Sequence, residues 1–311
     1  MYADLGLISL GIVLLYLGGE SLVTGATSIA RASGLRPAVV GLTVIAFGTS
    51  APELAATMAA AFRGAPEIAF GNVVGSNIAN LGLILGIAAL IQPIRAHATF
   101  LRREVPFMIG TTVAMLLIVH NDFVGRVEGT ILFGALILYL WVLLRDGRSN
   151  PSEPSEQRPE TVDRKLVWTG LARVTFGILL LVLGARWLVA GAVGVATTLE
   201  IDDRIIGLTL VALGTSLPEL ASVMIAAMRR QSDLILGNLV GSNIFNILCI
   251  LSLTALVRPL NIDAAAARGD LLVMMVFTVA VWPFMYGLRI GRKRGVALLG
   301  GYLLYVVWLV Q

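Results

Sequence analysis

Apolar residues dominate the chain in runs of eighteen or more, separated by short clusters of charge, Gly and Pro. About 20 apolar residues suffice for a helix to cross a bilayer, and only a helix satisfies its backbone within one lipid-exposed segment. The pattern predicts an all-α membrane protein with ten transmembrane helices, near 5–30, 37–62, 67–91, 101–120, 125–145, 167–193, 204–228, 233–257, 270–288 and 294–310. One stretch is polar throughout. From Asp146 to Lys165 the chain reads "DGRSNPSEPSEQRPETVDRK", too rich in Pro, Ser and charge to bury a core, and it is expected to be a disordered linker. It divides the chain into a first unit at 1–145, a linker at 146–166 and a second unit at 167–311.

The two units resemble each other. Gly41–Ile94 aligns with Gly207–Leu260 without a gap and with about half the positions identical, at a constant offset: 219 − 53 = 166 and 242 − 76 = 166. Five spans in each unit is an odd number, so the second copy enters the membrane from the opposite side. The layout is therefore two inverted five-helix repeats, which place a substrate site near the midplane where the copies meet.

Composition and charge agree with this layout. Of 311 residues, 57% are hydrophobic and 14% charged, and the formal charge is +4. That basicity does not point to nucleic acid, because Lys and Arg lie in short loops between spans. One set of alternate loops collects most of them, including Arg31, Arg36, Arg102, Arg103, Arg229, Arg230 and Arg289 to Arg294. By the positive-inside bias those loops and the linker are cytoplasmic and both termini are extracytoplasmic, as in a multi-pass protein of the cytoplasmic (inner) membrane. Asp4 replaces a basic leader, so the first run reads as a span and not a signal peptide. The lone Cys249 sits in an apolar run and reads as packing, and His97 and His120 are not spaced as a metal pair.

Two carboxylates break the apolar pattern. "GLTVIAFGTSAPEL" carries Glu53 and "GLTLVALGTSLPEL" carries Glu219, each inside a predicted span, where a charge costs about 3 kcal/mol or more. Pro52 and Pro218 remove a helical hydrogen bond one residue earlier, so each span is expected to break and free carbonyls at membrane depth. Ala46, Thr49, Ser50 and Glu53 then share one helical face, as do Ala212, Thr215, Ser216 and Glu219. The following spans carry polar stripes: Asn72, Ser76 and Asn80 in one, Asn238, Ser242 and Asn246 in the other. Gly71, Gly75, Gly237 and Gly241 beside them suit close helix contacts. Every candidate ligand is an oxygen, the donor set of a hard cation, and two glutamates balance one divalent ion or two monovalent ones.

The motif pairs "GTSAPEL" with "GNVVGSNIAN" and "GTSLPEL" with "GNLVGSNIFN" resemble the α-repeats of the cation/Ca²⁺ exchanger superfamily, and prokaryotic sodium/calcium exchangers in particular. The resemblance spans essentially the whole chain. It implies a Ca²⁺ site at Glu53, Glu219, Thr49 and Thr215, and Na⁺ sites using Ser50, Ser216, Ser76, Ser242 and the carbonyls of Ala46 and Ala212. It also implies alternating access in which the first and sixth helices slide over a fixed core. One position departs: several sodium-coupled relatives have an aspartate where this chain has Asn246, the counterpart of Asn80. Two carboxylates without a third leave Na⁺ and H⁺ coupling both open, and K⁺ co-transport is not decided.

A transporter of Ca²⁺ and Na⁺ needs no cofactor, and the lipid bilayer is its other partner. A monomer is compatible with the layout, and the oligomeric state is left open. An enzyme using Glu and Ser would need a histidine or lysine near Ser50 and unequal roles for the two copies, and neither is present. A channel would differ by passing ions without an obligatory counter-ion. A further pair at the same offset, Glu20 and Arg186, is expected either to form an ion pair or to line the route to the site.

Overall fold

Residues 2–146, 163–199 and 212–310 are described by a computed structural model of the chain. Residues 147–162 of the expected linker lie outside the described residues, as do 200–211, where the seventh expected span begins; the linker's ends, Asp146 and Arg164 to Leu166, are helical and belong to the flanking elements.

Helices α1 (Tyr2–Ser33) and α9 (Arg164–Thr198) are 32 and 35 residues long. At 1.5 Å per residue they reach about 48 and 52 Å, well beyond the roughly 30 Å of a bilayer's hydrocarbon core. They pack antiparallel along a seam of glycines seven residues apart. A Cβ at Gly11 would stand 2.8 Å from the Gly184 carbonyl oxygen, one at Gly18 2.9 Å from that of Gly177, and one at Gly25 2.7 Å from that of Gly170. The contact is backbone on backbone, so only glycine allows it.

The spans carrying the glutamates are broken. The first consists of α2 (Pro37–Val40), a π-helical turn at Gly41–Ile45, α3 (Ala46–Thr49) and α4 (Ala51–Phe62), with a 43° bend at Ser50. Its counterpart shows α10 (Ala212–Gly214) and α11 (Leu217–Met228). Both breaks precede the proline of the following half-helix, where a missing amide hydrogen costs nothing.

The next rods are α5 (Pro66–Ala79) and α6 (Leu85–Ile91), joined by a π turn at Asn80–Ile84, and α12 (Ser232–Phe245) and α13 (Ser252–Val257), joined by one at Asn246–Leu251. Their apolar windows are 72% and 83% buried, against 33% and 22% for α1 and α9, so the rods form the centre and the long helices the periphery. Gly237 and Gly241 let α12 close on the other repeat: a Cβ at Gly241 would lie 2.8 Å from the Leu42 Cα. Gly71 and Gly75 have no described atom within 4 Å of such a Cβ.

The remaining elements are α7 (Val105–Val119), α8 (Arg126–Asp146), α14 (Ala264–Phe284) and α15 (Arg292–Val310). Two short ribbons staple the units together. Strand β1 (Ile94–Arg95) pairs antiparallel with β4 (Arg289–Ile290), and β2 (Phe123–Val124) with β3 (Leu260–Asn261). Each ribbon takes one strand from each half, and the offset of 166 interchanges them (94 + 166 = 260; 290 − 166 = 124).

Among the described residues six helices are long and apolar enough to cross a membrane, seven with the bent pair Pro37–Phe62 taken as one span. Of the other expected spans, α7 has 15 α-helical residues after a π turn, α11 has 12, and α15 opens on Arg292, Lys293 and Arg294. Leu117, Leu304, Trp141, Trp168, Trp282 and Trp308 are all more than 45% exposed, an outer surface that only lipid would solvate.

Candidate cation-binding site

The two breaks meet at the centre. Glu53 enters on the first turn of α4 and Glu219 on the first turn of α11, and both are at most 2% exposed. Each acid is held by the other repeat. Ser216 Oγ donates to Glu53 Oε1 at 3.1 Å, and Ser50 Oγ donates to Glu219 Oε1 at 3.0 Å. The remaining oxygens, Glu53 Oε2 and Glu219 Oε2, are buried without a hydrogen-bond partner.

Three more buried oxygens are in the same condition: Asn80 Oδ1, Asn246 Oδ1 and Thr215 Oγ1. Buried polar atoms are ordinarily satisfied, and leaving one unpaired costs about 1–3 kcal/mol. Five such oxygens on residues of the two motif pairs, two of them carboxylate, are the chemistry of a hard-cation cradle. The π turns contribute, because each begins at the asparagine concerned. A π turn re-aims side chains and recurs at functional sites.

The other expected ligands divide. Thr49 is buried and within reach of the Ile45 carbonyl (3.1 Å) and Asn238 Oδ1 (3.3 Å), so its hydroxyl already has partners. Ser76 is buried one turn before Asn80, and Ser242 donates to Asn238 Oδ1 at 3.3 Å. The Ala46 carbonyl accepts the Ser50 N–H at 3.0 Å, and in the second copy the Ser216 N–H donates to Leu213 O at 3.1 Å.

The outer members of the polar stripes brace the acids. Asn72 Nδ2 donates to the Glu53 carbonyl (3.3 Å) and to Thr57 Oγ1 (2.9 Å). Asn238 reaches the Glu219 carbonyl through Ser222, in steps of 3.0 and 2.9 Å. Each stripe therefore clamps its neighbouring half-helix at one end and carries an unpartnered amide oxygen at the other.

The expectation that Glu20 pairs with Arg186 is overturned. Glu20 forms an ion pair with Arg229, whose Nε lies 3.3 Å from Glu20 Oε1 and whose Nη1 donates to Thr24 Oγ1 at 2.7 Å. Antiparallel packing sets Gly11 level with Gly184 and Leu188, so residues 20 and 186 stand about nine residues, roughly 13 Å, apart along the helix axes. Arg229 has the counterpart Arg63 (229 − 166 = 63), as Glu20 has Arg186, so the equivalent positions of the other half hold two arginines and cannot repeat the ion pair.

With the geometry described, similarity to known proteins becomes informative. The sequence profile of the family described as "Sodium/calcium exchanger protein" matches residues 4–145 and 169–311. The chain belongs to the sodium/calcium exchanger family. Among its relatives, sodium/calcium exchanger MaX1 of Methanosarcina acetivorans is 32% identical over 96% of this chain and 96% of that protein. Inner membrane protein YrbG of Escherichia coli is 33% identical over 98% and 95%. A solved structure of the sodium-calcium exchanger NCX_Mj, soaked with 10 mM Na⁺ and 10 mM Sr²⁺, superposes with a TM-score of 0.86 at 31% identity, covering 98% of this chain and 97% of that one. This family member is accordingly a multi-pass membrane protein, and its family is one of transporters and not of enzymes.

Sequence reasoning passed over three features of it. Arg229 was grouped with topology-setting charges, and no local signal marks it as the partner of Glu20. The heptad-spaced glycines of α1 and α9 were visible in the sequence and not used. Asn77 and Asn243 lie one residue off the polar stripes, where the spacing gives no signal.

Proposed function

We propose that the chain is a secondary active antiporter that exchanges Na⁺ for Ca²⁺ across the cytoplasmic membrane by alternating access. Ten helices form two inverted five-helix repeats, 1–145 and 167–311, joined by a cytoplasmic linker at 146–166, with both termini extracytoplasmic. The ions compete for one midplane site drawn from Glu53, Glu219, Thr49, Thr215, Ser50, Ser216, Ser76, Ser242, Asn80, Asn246 and the carbonyls of Ala46 and Ala212.

One observation carries the reading: two buried carboxylates, each tied to the opposite repeat by a serine and each with its second oxygen unpartnered. With both acids ionised the cradle holds two negative charges in a dry interior; one Ca²⁺ or two Na⁺ neutralises them, which makes the occupancies mutually exclusive. A third Na⁺ would leave one uncompensated charge, worth about 2.3 kcal/mol per 100 mV of membrane potential. The names of MaX1 and NCX_Mj support the choice of ions.

Asn246 favours a second reading, H⁺/Ca²⁺ exchange, because an amide where an aspartate could stand leaves protonation of two glutamates as a sufficient counter-load. Uptake of radiolabelled Ca²⁺ into reconstituted vesicles, driven by an outward Na⁺ gradient with pH clamped, is the test. Uptake is expected under the Na⁺ gradient. Its absence there, with uptake under an outward proton gradient, would move the assignment to proton exchange.

A further inference from the structure

An amide is a poor cation ligand unless something fixes which end faces the ion. Its oxygen and nitrogen exchange places on a half-turn of the last torsion, whose two orientations have nearly the same shape. Asn80 and Asn246 leave their oxygens unpartnered and engage their nitrogens, so neighbouring groups decide the orientation.

Two hydrogen-bonded chains do so, and they are images of each other. In one, Asn246 Nδ2 donates to Asn77 Oδ1 at 3.2 Å and Asn77 Nδ2 donates to Met274 Sδ at 3.7 Å. In the other, Asn80 Nδ2 donates to Asn243 Oδ1 at 3.0 Å and Asn243 Nδ2 donates to Met108 Sδ at 3.9 Å. The offset interchanges every member: 246 − 80 = 166, 243 − 77 = 166 and 274 − 108 = 166. Each chain also crosses between repeats, and all six residues are at most 2% exposed.

The outer end gives the direction. A thioether accepts a weak hydrogen bond and cannot donate one, so the methionine draws the nitrogen end of the outer asparagine. The outer asparagine's oxygen then faces inward, where it can accept only from the inner asparagine's nitrogen. That leaves the inner oxygen for the cradle. Asn243 has a second acceptor-only anchor, the Asn77 carbonyl at 3.4 Å.

We propose that Asn77 and Asn243 are positioning residues: with Met274 and Met108 at their backs, they lock the amides of Asn246 and Asn80 oxygen-inward for the transported cation. The proposal rests on the reading of Asn80 and Asn246 as ion ligands. It adds that these amides owe their ligand character to residues that do not touch the ion.

The test is calorimetric titration of the purified full chain with Ca²⁺ and with Na⁺, comparing Asn77→Leu in two backgrounds. With Asn246 present, Asn77→Leu removes the acceptor that holds the amide, and cation binding is expected to weaken about tenfold, the equivalent of one buried hydrogen bond. With Asn246→Asp, a carboxylate presents oxygen in either orientation, and the same substitution is expected to weaken binding by less than about threefold. Equal weakening in both backgrounds would mean that Asn77 only packs, and no weakening in either would mean that it does nothing for the site; both overturn the proposal. If Asn77→Leu fails to fold, the nearly volume-conserving Met274→Leu repeats the comparison, with about threefold weakening expected only beside Asn246, and equal effects again overturn it. Asn246→Leu separates the two levels of inference. Unchanged binding there removes Asn246 from the ligand set, whereas weakened binding there with Asn77→Leu harmless removes the relay alone.

Discussion

Replacing Glu53 by Gln changes the cradle almost only in charge and in one atom. The amide oxygen can keep the 3.1 Å bond from Ser216 Oγ, which places a nitrogen donor where the unpartnered Oε2 stood. The cation then loses one of two carboxylates and meets a donor at 2% exposure, where water cannot compensate. Breaking a buried charge pair in this way costs about 3–5 kcal/mol, so Ca²⁺ affinity should fall 100-fold or more. Thermal unfolding in detergent, with and without Ca²⁺, reads this directly. At a Ca²⁺ concentration about 100 times the wild-type dissociation constant, binding stabilises the wild type by about 2.7 kcal/mol; after a 100-fold loss of affinity about 0.4 kcal/mol remains. Without Ca²⁺ the sign reverses, because Gln removes the cost of keeping two acids together in a dry interior, whether that cost falls on an unpaired charge or on a bound proton, and the variant should unfold at a temperature no lower than the wild type. Glu219→Gln should match it, since the serine contacts are reciprocal. A Ca²⁺-dependent shift in Glu53→Gln equal to that of the wild type would refute the reasoning outright.

The other predictions concern the frame around the site. In the glycine seam, Gly18→Ala sets a methyl 2.8 Å from the Leu181 backbone nitrogen, and the strain of overpacking should lower stability by about 1–3 kcal/mol in thermal unfolding, while Gly134→Ala, with no atom within 4 Å of its Cβ, serves as the neutral control. The Glu20–Arg229 pair holds α1 over α11, where a Cβ at Gly19 would lie 2.8 Å from Ile225 Cγ1 and Ile225 is buried, whereas the counterpart face on α4, Ala55 and Ala59, is exposed. Glu20→Gln is therefore expected to raise the thiol-labelling rate of Ile225→Cys several-fold in a Cys249→Ala background, and the exchanged pair Glu20→Arg with Arg229→Glu to restore protection; an unchanged rate in Glu20→Gln would show that the ion pair does not hold this contact.

Much of the site was legible because its signals are local. A proline one residue before a glutamate announces a broken helix wherever the chain folds, and the break occurs at Ser50 and, in the second copy, at Thr215–Ser216. The offset of 166 was equally legible, and the ribbons, serine clamps and asparagine chains all obey it. What the offset could not supply is which residues face each other across the repeats. Glu20 and Arg186 occupy equivalent positions, and equivalence is not proximity: α1 and α9 run antiparallel, so their axial levels diverge and Glu20 meets Arg229 instead.

By itself, then, the sequence determined the apolar spans, the repeat, the two breaks and the oxygen character of the ligands, because each follows from composition and spacing within a few turns of chain. Only the tertiary structure decided which oxygens are partnered and which are left over. Ser50 reaches Glu219 and Asn80 reaches Asn243 across contacts more than 160 residues apart in the chain, and no local pattern can say which lone pairs those contacts consume.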